Sequence, residues 1–210
     1  MAAVKPDEER RSNPMSPTPR SPAPDVEFRR ARDRDYPALL ALQDANLREH
    51  LTPEQRNGGF LSARFSPDQF AEMNASVGVV VAEAHGAIAG YLCGSTVEFN
   101  RRFALLAAMI ERYPHIEWRQ RPLEQYVSFV YGPACVDRRF RGRGLLRGLY
   151  RALLDAATDR FEIGVAFVAQ DNPHSLGAHV QGLGMDDVGD FEFNERRYCI
   201  LAFAVERDVP

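Results

Sequence analysis

Cysteine, lysine and long apolar runs are all scarce in this chain of 210 residues. Cys93, Cys135 and Cys199 lie far apart in the sequence. An odd number of cysteines without CxxC spacing argues against a disulfide framework or a zinc site, so no metal is expected. No run approaches about 18 apolar residues, so no membrane span or membrane partner is expected. No apolar segment follows an N-terminal charge, which predicts a cytoplasmic protein.

The balance of charges argues against a protein that binds nucleic acid. The 26 basic residues are offset by 29 acidic ones, which gives a formal net charge of -3. Lys5 is the only lysine, so nearly every positive side chain is an arginine. We therefore expect no nucleic-acid partner, although a local basic patch is compatible with this composition.

The N-terminal segment differs in composition from the rest of the chain. Residues 1–24 contain six prolines and three serines and almost no large apolar residue. Such a segment cannot bury enough apolar surface to offset the entropy lost on ordering. We expect a disordered tail over residues 1–24, either a linker or a partner-binding segment, and one folded domain over residues 25–210.

The pattern of apolar residues within that domain predicts strands and helices in a mixed order. Helices are predicted after Asp33 or Asp35, from Ser66, and over residues 103–113, 144–158 and 173–181. Strands are predicted over residues 26–29, 77–83, 88–95, 126–136, 161–169, 190–193 and 198–205. Gly132 and Pro133 interrupt the fourth strand, which indicates a bulge or broken pairing. The order predicts an α/β (α+β) fold with a central β-α-β unit.

The segment between the fourth strand and the most amphipathic helix has features of a phosphate-binding loop. It contains Gly142 and Gly144, which allow close backbone approach, and arginines at positions 138, 139, 141 and 143. The unpaired N–H groups of the following helix attract anions. A P-loop would need a lysine, and a dinucleotide motif would need glycine where Arg147 stands. A basic turn that uses glycines only for tight geometry is the alternative.

Residues 139–144, RFRGRG, resemble the Q/R-x-x-G-x-G/A signature of the GNAT superfamily of acyl-CoA-dependent N-acetyltransferases. The stretch from Asn172 to Ser175, followed by Leu-Gly-Met at 183–185, is similar to the N-x-x-S/A…L-G-F segment of that family. The order of predicted elements also fits. The resemblance implies a mostly antiparallel sheet of about seven strands flanked by helices. It also implies transfer of an acetyl group from acetyl-CoA to an amine, either a small molecule or a protein amine.

The resemblance also implies which residues bind coenzyme A. The backbone N–H groups that would hold the pyrophosphate belong to Arg141, Gly142, Arg143, Gly144 and Leu145. Cys135 and Val136 would pair their backbone with the pantetheine arm, where the fourth and fifth strands part. Asn172 would hydrogen-bond the arm from the other side. Ser175 would assist it or, alternatively, cap a helix.

Catalytic residues are less clearly indicated. The fourth strand offers no carboxylate at Ser128–Tyr131, so Glu98 is the nearest candidate for a general base, with an exposed surface residue as the alternative. His179 lies seven residues after Asn172, where the family places a group that protonates the leaving thiol. A packed or surface histidine is the alternative. The stretch 98–125 would shape the acceptor pocket, close the core or form a homodimer surface.

Two other classes of function compete with the transferase. A non-catalytic acyl-CoA-binding module is suggested by the missing carboxylate on the fourth strand. A nucleic-acid-binding protein would use the arginines between Arg138 and Arg151, but the helix face that they flank is apolar and no platform for base stacking is interleaved with them.

Overall fold

A computed structural model describes residues 26–205, and the predicted disordered tail lies outside these residues. The strands are β1 (Val26–Arg30), β2 (Gly78–Ala84), β3 (Ala87–Thr96), β4 (Glu117–Trp118), β5 (Arg121–Pro122), β6 (Ser128–Val136), β7 (Ile163–Ala169), β8 (Asp186–Phe193) and β9 (Arg196–Ala204). The α-helices are α1 (Tyr36–Asp44), α2 (Pro53–Arg56), α3 (Pro67–Ser76), α4 (Val97–Asn100), α5 (Ala104–Ile110), α6 (Leu145–Ala157) and α7 (Pro173–Leu183).

Seven strands form one sheet in the order β1-β2-β3-β6-β7-β9-β8, and β4 and β5 form a separate two-stranded ribbon. All neighbours in the large sheet are antiparallel except β6 and β7. Because a parallel pair needs a crossover, α6 connects β6 to β7 and completes a β-α-β unit. The predicted mixed, mostly antiparallel fold is confirmed.

The parallel strands β6 and β7 separate in the middle of the sheet. Their pairing covers only Ser128–Val130 against residues 163–165, although both strands continue beyond it. The register between β3 and β6 shifts where Gly132 and Pro133 lie opposite Cys93, which confirms the predicted interruption. Since proline cannot donate to a ladder, this position favours broken pairing. The sheet therefore contains a gap open on one side.

Helix α6 is held against the sheet by its leucine stripe. Leu145, Leu149 and Leu153 are buried in the largest apolar cluster. Gly148 allows close approach to β1, because a Cβ there would lie 2.1 Å from Cζ of Phe28. The packing fixes the N-terminus of α6 beside the gap in the sheet. None of the helices between residues 26 and 205 has the length and apolar character needed to cross a membrane.

Two predicted boundaries differ by three or four residues from those of the observed elements. The helix predicted over 103–113 ends at Ile110, and Pro114 lies inside a short 3-10 turn, Tyr113–His115, because proline cannot donate the next helical hydrogen bond. Strand β8 begins at Asp186, four residues before the prediction. Asp186 and Asp187 are exposed on an edge strand, so they carry no apolar alternation that would indicate a strand.

Candidate functional site

The predicted phosphate loop connects β6 to α6 and presents free backbone donors. Gly142 and Gly144 have φ values of +71° and +81°, which other residues rarely adopt. Within residues 26–205, the N–H groups of Gly142, Arg143, Gly144 and Leu145 donate no hydrogen bond of normal geometry. The N–H of Arg141, in contrast, donates to the carbonyl of Arg138 at 3.4 Å. Four of the five predicted amides are therefore available to an anion.

A cavity of about 370 Å³ lies beside this loop. Its walls come from the end of β6, the start of α6, one side of α7 and residues 46–61. The last segment is called the loop of residues 46–61, although it includes the short helix α2. The predicted site residues that line it are Cys135, Val136, Arg141, Gly142, Gly144, Leu145, Ser175 and His179. Arg143 is exposed and does not line the cavity. Its guanidinium carbon lies 5.8 Å from the ring centroid of Phe140, which does line it. The chain thus brings most of the predicted cofactor residues together.

The free edge of β6 faces the gap in the sheet. The N–H of Asp137 donates to the carbonyl of Ala89, so alternation along the antiparallel ladder places Cys135 in a hydrogen-bonded pair with Tyr91. The same alternation turns the N–H and C=O groups of Ala134 and Val136 toward the gap. The resemblance implies that Cys135 pairs with the arm, but its backbone groups face β3. The backbone groups of Ala134 and the N–H of Val136 form the available edge, because the carbonyl of Val136 accepts from Nε of Arg141.

The side chain of Arg141 ties the phosphate loop to the loop of residues 46–61. Its guanidinium donates to the carbonyl of Val136 at 3.0 Å, to Oδ1 of Asn46 at 2.8 Å and to the carbonyl of Gly58. Burial lowers the pKa of this guanidinium, although it remains charged at neutral pH. Arg141 therefore holds two walls of the cavity together with its side chain.

The structure shows which of Asn172 and Ser175 caps helix α7, a question that the sequence left open. Oδ1 of Asn172 accepts from the N–H of Ser175 at 3.3 Å, so Asn172 is the N-cap of α7. Its Nδ2 donates to the carbonyl of Phe60 at 3.1 Å. Both polar atoms of the buried Asn172 amide are thus engaged within the protein. The capping alternative for Ser175 is wrong, and Ser175 lines the cavity.

A second, smaller cavity of about 80 Å³ adjoins the first through the gap between β6 and β7. The residues shared by the two cavities are Phe60, Leu61, Ala134, Ser175 and His179. Tyr131 lines the smaller cavity, and its hydroxyl lies 3.1 Å from Nε2 of His179. A titratable pair therefore lies where the two cavities meet.

The hydrogen bonds of His179 define its protonation. Nδ1 lies 2.7 Å from the carbonyl oxygen of Ser175, which can only accept, so Nδ1 carries a proton. Burial lowers the pKa of His179 more than this hydrogen bond raises it, so the ring is neutral. Nε2 then has a free lone pair that accepts from the hydroxyl of Tyr131. His179 lines both cavities, and its Nε2 accepts a hydrogen bond from Tyr131.

The structure does not bring Glu98 to the site. Glu98 is exposed in the first turn of α4 and lines neither cavity. In the stretch 98–125, Met109, Tyr113 and Trp118 are buried in an apolar cluster, so they close the core. Leu106 reaches the wall of the smaller cavity.

The sequence did not predict a role for Tyr131, for the loop of residues 46–61 or for the contacts that the Arg141 side chain makes with this loop. Tyr131 and Arg141 reach partners that lie 48 to 95 residues away in sequence. The only local signals were a tyrosine beside Gly132-Pro133 and the Gly58-Gly59 pair, of which Gly59 has a φ of +90°.

Comparison with known proteins identifies relatives. The profile of the acetyltransferase (GNAT) family matches residues 39–185, well over half of the chain. A search of curated proteins finds no significant match. Among solved structures, the fold is similar to an N-acetyltransferase from Staphylococcus aureus Mu50, with a TM-score of 0.57 and 17% identity over 87% of this chain and 99% of that one.

Two further solved structures carry ligands. The protein yncA from Salmonella typhimurium, solved with its cofactor acetyl-CoA, has a TM-score of 0.57 and 18% identity over 89% of this chain and 97% of that one. Naa50 from Arabidopsis thaliana, in complex with the bisubstrate analogue CoA-Ac-MVNAL, has a TM-score of 0.55 and 13% identity over 86% and 99%. At these identities the likeness concerns the fold.

Proposed function

The chain belongs to the acetyltransferase (GNAT) family and is an acetyltransferase, and on that basis we propose how its residues perform the transfer. Acetyl-CoA lies in the large cavity, and an amine in the small cavity attacks the thioester where the two cavities meet. The observation that carries this proposal is a loop of free backbone amides beside a cavity that opens through a gap in the sheet onto a second one.

The diphosphate of acetyl-CoA is proposed to bind the N–H groups of Gly142, Arg143, Gly144 and Leu145. These groups lie at the N-terminus of α6, where the helix dipole adds positive potential. Arg147 lines the same cavity and adds a positive charge. Its guanidinium also donates to the carbonyl of Gly182 on α7. The proposal thus rests on main-chain donors, with arginine side chains as support.

The pantetheine arm is proposed to lie along the free edge of β6. The carbonyl of Ala134 and the N–H of Val136 replace Cys135 as the backbone groups that would pair with its amides. Asn172 is proposed to hold the Phe60 carbonyl in place on the opposite side, and Ser175 to face the arm. Ala134 lines both cavities, so its N–H is the proposed donor to the oxyanion that forms at the thioester carbon.

Direct attack by the amine is favoured over an acyl-enzyme. Burial raises the pKa of the Cys135 thiol to about 12, so this cysteine is not a thiolate at neutral pH. In the proposed reaction a C–N bond forms between the amine and the acetyl carbon. The C–S bond of the thioester then breaks, and coenzyme A leaves with a free thiol.

The proton released by the amine is proposed to travel through Tyr131 and His179. The hydroxyl oxygen of Tyr131 takes the proton of the attached ammonium while its own proton passes to Nε2 of His179. The reverse movement delivers a proton to the leaving sulfur and restores both side chains. Glu98 is not part of this path.

From the sequence we also propose a cytoplasmic location. The proposed assembly is a homodimer that forms through exposed residues of the stretch 98–125.

A thiol-release assay tests the proposed function. The full chain, acetyl-CoA and a panel of amines should yield free coenzyme A and the N-acetyl product in equal amounts. Release of the thiol without N-acetyl product would contradict transfer to an amine. Tight binding of acetyl-CoA without turnover of any amine would instead support the non-catalytic acyl-CoA-binding module.

A further inference from the structure

The smaller cavity has walls that suit an uncharged, apolar amine. All the side chains that line it are uncharged, and most are aliphatic or aromatic, such as Phe65, Leu106, Val130 and Phe167. Its volume of about 80 Å³ accommodates roughly five to eight water-sized groups. A ring or a short branched chain fills such a space.

The two titratable residues of this cavity are both neutral. Burial raises the pKa of Tyr131 well above its ordinary value and lowers that of His179. Neither side chain therefore offers a negative charge to an ammonium group at neutral pH. Moving a cation from water into these surroundings costs free energy that no anionic wall residue offsets.

The charged residues that pack on Phe60, one residue of the cavity wall, carry a positive balance. The ring of Phe60 forms part of the wall, and the guanidinium carbons of Arg48 and Arg196 lie 5.7 and 5.9 Å from its centroid. Asp171 bonds both guanidinium groups, at 3.2 and 2.8 Å, and so compensates only one of the two charges. The remaining positive charge opposes the entry of a cationic amine.

We propose that the acceptor is a small apolar amine that is neutral at physiological pH, an aromatic or similarly weakly basic amine rather than an alkylamine. This inference rests on the proposed function, because it assumes that the acceptor lies in the smaller cavity. A neutral amine enters without losing a proton first. Its free lone pair meets the thioester, and the Tyr131–His179 pair takes a proton only after attack.

Two amines of the same carbon skeleton, aniline and cyclohexylamine, test this proposal. The nitrogen of aniline is neutral at pH 7 because its lone pair is delocalised into the ring. Cyclohexylamine is an ordinary alkylamine, and with a pKa near that of lysine only about one molecule in 2500 is neutral at pH 7. We expect kcat/KM at pH 7 to be at least about 10-fold higher for aniline, although it is the weaker nucleophile.

The pH dependence of the two amines should also differ. Between pH 7 and pH 9, kcat/KM for cyclohexylamine should rise about 100-fold, whereas kcat/KM for aniline should stay within about 2-fold. A preference for cyclohexylamine at pH 7, or acetylation of neither amine, would overturn the inference. The acetyl-transfer proposal would still be judged separately, by thiol release with the wider amine panel and by calorimetric titration with acetyl-CoA.

A pair of variants tests whether the uncharged wall sets the preference. Ser62 lines the smaller cavity and is partly exposed. Ser62→Asp places a carboxylate in the wall and should shift the ratio of the two kcat/KM values toward cyclohexylamine by about 10-fold at pH 7. Ser62→Asn has the same shape without the charge and should leave the ratio unchanged. Equal ratios in the two variants would contradict the proposal.

Discussion

At the scale of single residues, Tyr131 and His179 carry the proton path of the proposed reaction. Tyr131 comes from β6 and His179 from α7, and their polar atoms meet at 3.1 Å. The carbonyl of Ser175 fixes the tautomer of His179, so the pair has one donor and one acceptor. Because this proton relay needs both residues, removing either side chain should lower kcat as much as removing both.

Tyr131→Phe and His179→Gln should each lower kcat by roughly 10- to 100-fold, as general acid–base groups do. The Kd for acetyl-CoA should change little, since neither residue touches the phosphate loop. The double variant should be no slower than the slower single variant. Single-turnover and steady-state kinetics with acetyl-CoA measure these effects.

Tyr150→Phe is the matched control, because the ring of Tyr150 packs 6.2 Å from that of Tyr131 and lines neither cavity. Its kcat should equal that of the native chain. Losses that multiply in the Tyr131/His179 double variant would show that the residues act independently and would remove the relay from the mechanism.

The two residues of this pair were unequally predictable. The spacing from Asn172 singled out His179, which lines both cavities, because His179 lies on the short helix whose start is marked by Asn172 and Pro173. Tyr131 has no such local signal. Its role depends on the gap between β6 and β7, which only the assembled sheet creates.

At the scale of elements, Arg141 connects the phosphate loop to the loop of residues 46–61. One guanidinium reaches Val136, Asn46 and Gly58, and so fixes the width of the large cavity. The sequence predicted the phosphate loop from glycines and a helix start, which are local. It gave the Arg141 side chain only a general positive charge, because the residues that this side chain contacts include Asn46 and Gly58 on a distant loop.

Arg141→Met should lower the free energy of unfolding by about 2 kcal/mol, less than the sum for three charged hydrogen bonds because the guanidinium is only half-buried. It should also raise the KM for acetyl-CoA, since the loop of residues 46–61 loses its attachment. Chemical denaturation and initial-rate kinetics measure the two effects.

Arg139→Met removes a neighbouring arginine whose side chain is 79% exposed, forms an ion pair with Asp137 and lies 5.9 Å from the ring centroid of Phe140. Such an exposed ion pair contributes little to the free energy of unfolding, so neither this free energy nor the KM for acetyl-CoA should change noticeably. If Arg139→Met and Arg141→Met behaved alike, the attachment through Arg141 would not be what shapes the cavity.

At the scale of the whole molecule, the sheet provides two adjoining cavities that share part of their walls. Alternation of apolar residues predicted most strands, and the β-α-β unit followed from the helix between two buried strands. Strand β8 was predicted too short because its first residues are acidic and lie on the edge of the sheet. The cavities themselves were not predictable, because their walls combine segments that lie far apart in sequence.

The central claim is that main-chain amides of the phosphate loop hold the diphosphate of acetyl-CoA. Gly142→Glu places a side chain and a negative charge in the open space beside these amides, because a Cβ at Gly142 meets no atom within 4 Å. Gly86→Glu is the matched control. Gly86 also has a positive φ, +76°, and open space around it, but it lies outside the large cavity.

Calorimetric titration of the folded native chain and the two variants with acetyl-CoA is the most direct measurement. Gly86→Glu should bind with the native Kd, and Gly142→Glu should bind at least about 10-fold more weakly, a loss of about 1.4 kcal/mol or more. An unchanged Kd in a folded Gly142→Glu variant would contradict the account.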